Sequence, residues 1–260
     1  FAGENPDEGA WIHFYLSEGM ASSLTTQTPG LDPSRLTVQI VDSEGALVRE
    51  LRKEDPKAGI NRIVWDLQWF GPEPIPGQGG GGFFGGAQGP PAVPGTYTAK
   101  LLVAGRELAS DFELRGDPNV MASNAAYEAR LTAAIRTRDL QTQLNQMVGT
   151  MRDLGGQLDG LLETIGGKDL SNEMQIQETA TEAKEALTTL EAEVIRPPGS
   201  MGYRDWPRVI EQLRFIARNM QGPQARPTEG QLEVLTAVEA SAAARAAELA
   251  DIVNGVISDL

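Results

Sequence analysis

From Ala10 to about Leu114 the apolar residues alternate with polar ones in short runs, the period of half-buried strands, and Gly, Pro, Asn and Asp punctuate the gaps. Ile12, Phe14 and Leu16 share one strand face, Leu36, Val38 and Ile40 a second, Ile63, Trp65 and Leu67 a third, and Tyr97, Ala99, Leu101 and Val103 a fourth. The same alternation sets Trp11, His13 and Tyr15 on the opposite side of the first strand. DSEG, residues 42 to 45, reads as a hairpin turn in which Asp42 bonds its own backbone and Gly45 takes positive φ, and VAGREL repeats the device around Gly105. Six or seven short strands at this spacing predict an antiparallel sandwich of immunoglobulin type over residues 1–117, although no cysteine pair marks it.

At Asp117 the period changes. DPNV closes the last strand, and the chain beyond it is rich in Ala, Leu, Gln and Glu with a repeat near 3.6 residues. Four helices are predicted over 118–260. The first starts near Asn124, with Leu131, Ile135, Leu144, Met147, Met151, Leu154, Leu158 and Leu161 facing inward and a weak point at Gly155 and Gly156. The second runs from about Glu173 to Val194 and is stopped by Pro197 and Pro198. The third follows YRDWP, with Ile210, Leu213, Ile216 and Met220 on one face. The fourth opens on a Thr228-to-Gln231 capping box and carries Leu232, Leu235, Leu249, Ile252, Val256 and Leu260. An up-and-down four-helix bundle buries all four stripes, so the fold class expected is α+β in two domains, sandwich then bundle.

Charge narrows the partners. With 36 acidic against 22 basic residues the net charge is −14, which repels nucleic acid and anionic lipid alike. No apolar run approaches the roughly 18 residues that span a bilayer, so no transmembrane segment is expected. The chain has no cysteine, hence neither disulfide framework nor thiolate chemistry, and it begins at Phe1 rather than Met, as expected of a piece of a longer exported protein.

Candidate chemistry is sparse. Gly77, Gly79 and Gly82 satisfy G-x-G-x-x-G, but Pro72, Pro74 and Pro76 upstream forbid a buried strand and GPPAVPG downstream opens no helix, so a nucleotide cradle is excluded. The single histidine, His13, lies on a strand face, more simply a surface residue than a base. Asp111 and Glu113 share a face with Arg115 nearby, a solvated surface rather than a pair of glycosidase acids, and the carboxylates at Glu4, Asp7 and Glu8 match no metal-loop spacing. Glu178, Glu182, Glu185, Glu191 and Glu193 on the second helix read as a wet face. No cofactor and no catalytic residue is expected.

The connection over 68–94 is far longer than a sandwich loop needs. Trp69, Phe70, Ile75, Phe83 and Phe84 make it more than a glycine linker, because large apolar side chains are costly to leave in water at about 25 cal/mol per Å². Two readings stand: they fold back onto the sandwich edge or the bundle, or they anchor a partner protein.

GENPDEGAWIHFYL (residues 3 to 16), AGINRIVWDLQWFGP (58 to 72) and VPGTYTAKLLVAGRE (93 to 107), followed by DPN, resemble the carboxy-terminal region of large exported bacterial proteins with a sortilin-like, Asp-box-repeat β-propeller. In that family a FlgD-type immunoglobulin-like domain follows the propeller and a helical tail follows the domain. The strings cover the first 120 residues, the helical half matching in general character only. The resemblance implies a periplasmic or extracellular location and carries no catalytic residue to any position here, since the glycosyl hydrolase-like label of such proteins belongs to their propeller. The function expected is a non-catalytic interaction module that docks on other proteins through the 68–94 loop and an exposed helix face, with the periplasmic face of a membrane-bound complex as one host. The alternative is a carbohydrate-facing accessory domain using Trp11, Tyr15 and Trp69, and an inert spacer is a third possibility.

Overall fold

A computed structural model of the chain describes residues 8–25, 36–77, 88–166, 168, 173–200, 206–220 and 226–255. They form a mixed α+β protein of two antiparallel sheets and five helices. Two compact units divide it, the first within Phe1–Gly71 and Gln88–Leu131, the second within Pro72–Ala87 and Thr132–Leu260.

In the first unit, strands β1 (Ala10–Leu16) and β4 (Gly59–Trp65) make a two-stranded sheet. Strands β2 (Leu36–Asp42), β3 (Leu47–Lys53), β5 (Gly95–Val103) and β6 (Arg106–Leu114) make a four-stranded sheet in the order β3-β2-β5-β6. Both sheets feed one hydrophobic cluster built from Leu16, Leu36, Val38, Ile40, Val48, Ile63, Trp65, Tyr97, Leu101 and Val103, all but Val48 on the faces that alternation predicts. Leu67, predicted on the β4 face, falls just past the strand at φ 58°, where the chain turns. The two hairpin turns form as expected: Asp42 Oδ1 accepts from the amides of Glu44 (3.0 Å) and Ala46 (2.8 Å), and Ala104 and Gly105 both take positive φ.

One helix was not expected. Helix α1 (Glu18–Thr25) follows β1, its first turn capped by Ser17, whose Oγ accepts from the Met20 amide at 3.3 Å and whose carbonyl accepts from Ala21. It buries Ala21 and Leu24, too few apolar residues to show a helical period against the strands around it.

Trp65, fully buried, packs against Tyr97 at 5.3 Å between ring centroids and edge-on against Phe112, and its indole N–H donates to the Gln68 carbonyl at 2.9 Å. The Tyr97 hydroxyl reaches back four residues, donating to the Val93 carbonyl (2.8 Å) and accepting from the Val93 amide (3.2 Å). That pair fixes the chain as it enters β5.

Helix α2 (Asn124–Ile165) runs 42 residues, roughly 60 Å at about 1.5 Å per residue, and passes through Gly155 and Gly156 without a break. Its first two turns, to Leu131, belong to the first unit, so Leu131 packs with the β cluster rather than with the helical core. In the second unit the rest of α2 shares one core with α3 (Glu173–Val194), α4 (Val209–Met220) and α5 (Glu229–Asn254). Leu144, Val148, Leu187, Val194, Ile210, Leu213 and Leu235 lie at its centre. The capping box forms, Thr228 Oγ1 accepting from the Gln231 amide at 3.2 Å and the Gln231 side chain accepting from the Thr228 amide at 2.9 Å. The end of the predicted α5 stripe, Val256 and Leu260, lies outside the described residues.

Ion pairs tie neighbouring helices at the rim. Arg152 pairs with Glu191 (α2 to α3), Arg136 with Glu239 (α2 to α5) and Arg245 with Glu193 (α5 to α3), each exposed enough to contribute little individually.

Burial raises the Tyr97 pKa, since an ionised phenolate in this cluster would be desolvated. A raised folded-state value means that the neutral form carries the stability, complete below about pH 10 and lost as the unfolded chain ionises above it. Tyr97→Phe, which removes both bonds to Val93, is expected to lower the stability of this unit by about 1–2 kcal/mol at pH 7 and to flatten its decline between pH 9 and 11. Urea unfolding followed by tryptophan fluorescence across that range checks both.

Candidate functional site

The five aromatic and aliphatic residues singled out on the 68–94 connection have separate fates. Trp69 is buried in the β cluster and Ile75 in the helical core, so packing within the chain accounts for both. Phe70 is exposed, with the Arg49 guanidinium 6.0 Å from its ring centre. Phe83 and Phe84 lie outside the described residues, as do Gly79, Gly82, Glu4 and Asp7.

The connection leaves the first unit through a narrow neck. The Trp69 amide donates to the Pro90 carbonyl (2.8 Å), the Ala92 amide to Leu67 (2.7 Å) and the Phe70 amide to Val48 on β3 (2.9 Å). Arg49 adds a bond to the Trp69 carbonyl and an ion pair to Asp66. Only glycine fits at position 89, where a Cβ would lie 1.9 Å from the Trp69 carbonyl oxygen.

In the second unit the segment Pro72 to Gly77 is strapped along α2. Every residue from Gly71 to Pro76 is either a proline or precedes one, and both conditions favour an extended backbone. Glu73 is the anchor. Its amide donates to Thr142 Oγ1 (3.1 Å), its carbonyl accepts from Asn145 Nδ2 (2.5 Å), and its carboxylate accepts from Gln146 Nε2 (2.8 Å). Asn145, only 5% exposed, is itself held by Gln141, whose Nε2 donates to Asn145 Oδ1 at 2.8 Å. Pro76 then lies flat on Gly149, where an added Cβ would come within 2.7 Å of the proline ring. Thr142, Asn145, Gln146 and Gly149 stand at i, i+3, i+4 and i+7, one stripe of the helix. That i, i+3, i+4, i+7 spacing on the helix is the sequence signal that the hydrophobic pattern alone does not register.

A second feature is the outer face of the two-stranded sheet. Register sets Trp11 opposite Val64, His13 opposite Arg62 and Tyr15 opposite Ile60. Tyr15 is 72% and Ile60 79% exposed, and Trp11, at 43%, carries the Arg62 guanidinium 4.3 Å from its ring centre with His13 edge-on.

The remaining candidates are surface groups. Asp111 Oδ1 accepts from Thr98 Oγ1 at 2.7 Å, and Glu113 pairs with Arg115. On α3, Glu191 and Glu193 hold Arg152 and Arg245. Among the described residues no three His, Asp or Glu side chains are grouped to hold a metal ion, and no helix is long and apolar enough to cross a membrane. Glu211 is held below the usual carboxylate range by the two-pronged guanidinium of Arg196, with help from the Arg208 amide.

No protein-family model matches the chain, and neither does any curated protein or solved structure. The likeness to the sortilin-like exported proteins therefore rests on the strings quoted above.

Two outcomes follow from this geometry. Replacing a helical glycine with alanine normally gains about 1 kcal/mol. Gly155→Ala, with open space around it, is expected to show that gain, whereas Gly149→Ala is expected to lose about 1–2 kcal/mol because the strap must shift, a difference of sign that paired urea titrations read directly. Because the folded-state pKa of Glu211 is lowered, its contribution is present above the ordinary carboxylate value and disappears as pH falls below it. Glu211→Gln should thus lower the unfolding midpoint at pH 7 and leave it near the wild-type value at pH 3.

Proposed function

We propose that the chain is a non-catalytic interaction module that docks on another protein through the outer face of the β1–β4 sheet. The observation that carries this reading is the cross-strand pair Tyr15 and Ile60, two large apolar side chains facing each other in register and turned to water. Single exposed apolar residues need no explanation, whereas a cross-strand pair of them, with Trp11 farther along the same face beyond the His13–Arg62 pair, is the signature of a surface awaiting cover. Tyrosine and tryptophan give such a surface area at small entropic cost, and Arg62 adds a charged donor, the composition of an interface centre.

The finer fold belongs to the same reading. A two-stranded sheet facing a β3-β2-β5-β6 sheet, with a tyrosine at the head of β5 bonded back to Val93, has the strand order and the tyrosine corner of an immunoglobulin-type sandwich. Four helices sharing one core fit an up-and-down bundle. Export rests on the family resemblance, and a place on the periplasmic side of a membrane-bound assembly is the host that an exported, protein-docking chain fits.

A carbohydrate-facing role is the second reading, favoured by Trp11 and Tyr15 on one face. A sugar ring stacking on Trp11 must first displace Arg62 from the indole. Calorimetric titration with polysaccharides separates the two, a heat that Trp11→Ala abolishes favouring the sugar.

The native chain is expected to retain a partner protein through purification, and the doubly substituted Tyr15→Ser, Ile60→Ser protein to lose it while keeping its melting temperature within a degree or two, since neither side chain is in the core. Retention of that partner at wild-type stoichiometry would sink the proposal.

A further inference from the structure

The α2 stripe that holds the strap is built to recognise a chain segment. A strap needed only for packing is served by apolar contacts, which carry no desolvation cost. Here a buried asparagine is oriented by a buried glutamine before it meets the strap, so the amide that receives the Glu73 carbonyl is set by α2 itself. An acceptor, a donor and a second amide donor then read the backbone and carboxylate of one residue, Glu73. Two residues on, Ile75 enters the apolar core, and Gly149 leaves room for the ring of the proline that follows. Preorganised polar groups backed by a second layer, an apolar socket and a flat seat for proline are the parts of a site that binds extended proline-containing peptides.

We propose that this stripe is a recognition site for an extended, acidic, proline-alternating peptide of the form Pro-Glu-Pro-aliphatic-Pro, closed in the resting chain by its own residues 72–77. A partner segment of the same chemistry binds by displacing the strap. The seated segment defines the ligand: a carboxylate for Gln146, one free amide and carbonyl between two prolines for Thr142 and Asn145, and an aliphatic side chain two residues later. The strap is exchangeable because its polar contacts all converge on Glu73, so an incoming segment with the same carbonyl, amide and carboxylate remakes each bond that it breaks, the one to the buried Asn145 included. Its advantage is tethering, which presents it at an effective concentration on the order of millimolar. This site is separate from the β1–β4 face, so the failure of either proposal leaves the other standing.

The probe is a fluorescein-labelled heptapeptide Gly-Pro-Glu-Pro-Ile-Pro-Gly, titrated by anisotropy into the full chain and into the full chain carrying Glu73→Ser and Ile75→Ser. The strap-disabled chain is expected to bind saturably and at least tenfold more tightly than wild type, and adding Gly149→Val to it is expected to weaken binding at least tenfold. Equal affinity for wild type and the strap-disabled chain, or affinity indifferent to Gly149→Val, overturns the site. Should the double substitution cost the helical circular-dichroism signal, Ile75→Ala alone replaces it. Excess peptide must then raise the melting temperature of that variant, and an unchanged melting temperature overturns the proposal equally.

Discussion

Glu73 stands between two prolines, and that placement governs how the long connection is held on α2. Proline has no amide hydrogen, so over Pro72, Glu73 and Pro74 the chain offers a single backbone donor, and it goes to Thr142. A segment so short of donors cannot join a sheet or continue a helix. It can lie along another element only if that element supplies the missing partners. Helix α2 does so with one stripe of side chains, and the buried Asn145 is stable there because both ends of its amide are occupied, by Gln141 and by the Glu73 carbonyl. Each half of the contact thereby satisfies groups that the other would otherwise leave unpaired.

The first unit solves a related problem with aromatic rings. Trp65, Tyr97 and Phe112 come from β4, β5 and β6, and their mutual packing joins the two-stranded sheet to the four-stranded one. The two polar atoms this cluster buries are both returned to the backbone, the indole N–H to Gln68 and the phenol to Val93. Those acceptors lie at the two ends of the long connection. The rings that fill the core therefore also set where the chain leaves β4 and where it enters β5, and the pairing of Trp69 with Pro90 and of Ala92 with Leu67 closes the neck between them.

Much of this was legible because period and turn chemistry are local. Asp42 and Gly45, the Thr228 capping box, the bounds of α3 and the faces of β1, β2 and β5 all follow from residues within one element. What escaped was non-local. Trp69 and Ile75 look alike as apolar residues on a loop, and nothing in their neighbours says that one enters the β cluster and the other the helical core. The strap escaped for the same reason: its partners lie about seventy residues away, and T-x-x-N-Q-x-x-G inside a helix reads as ordinary polar spacing until the prolines are seen to need it. Helix α1 was hidden by brevity, two buried residues being below the threshold at which any period shows.

Two departures from ordinary residue placement bear on recognition, and they are opposite in kind. On the β1–β4 face large apolar side chains meet water, whereas along α2 amides of Gln141 and Asn145 are withdrawn from it. Folding alone favours neither. An exposed Tyr15–Ile60 pair adds nothing to the core, and a buried amide pair does no better than two leucines unless its geometry is used. The second departure already has its use within the chain, because the strap occupies the amides. The first has none among the described residues. An apolar surface with no internal occupant is where an external one gains most on binding, since the area it covers was costly to leave exposed. That asymmetry is why docking is assigned to the sheet face, and why a peptide reaching the α2 stripe has a resident to displace.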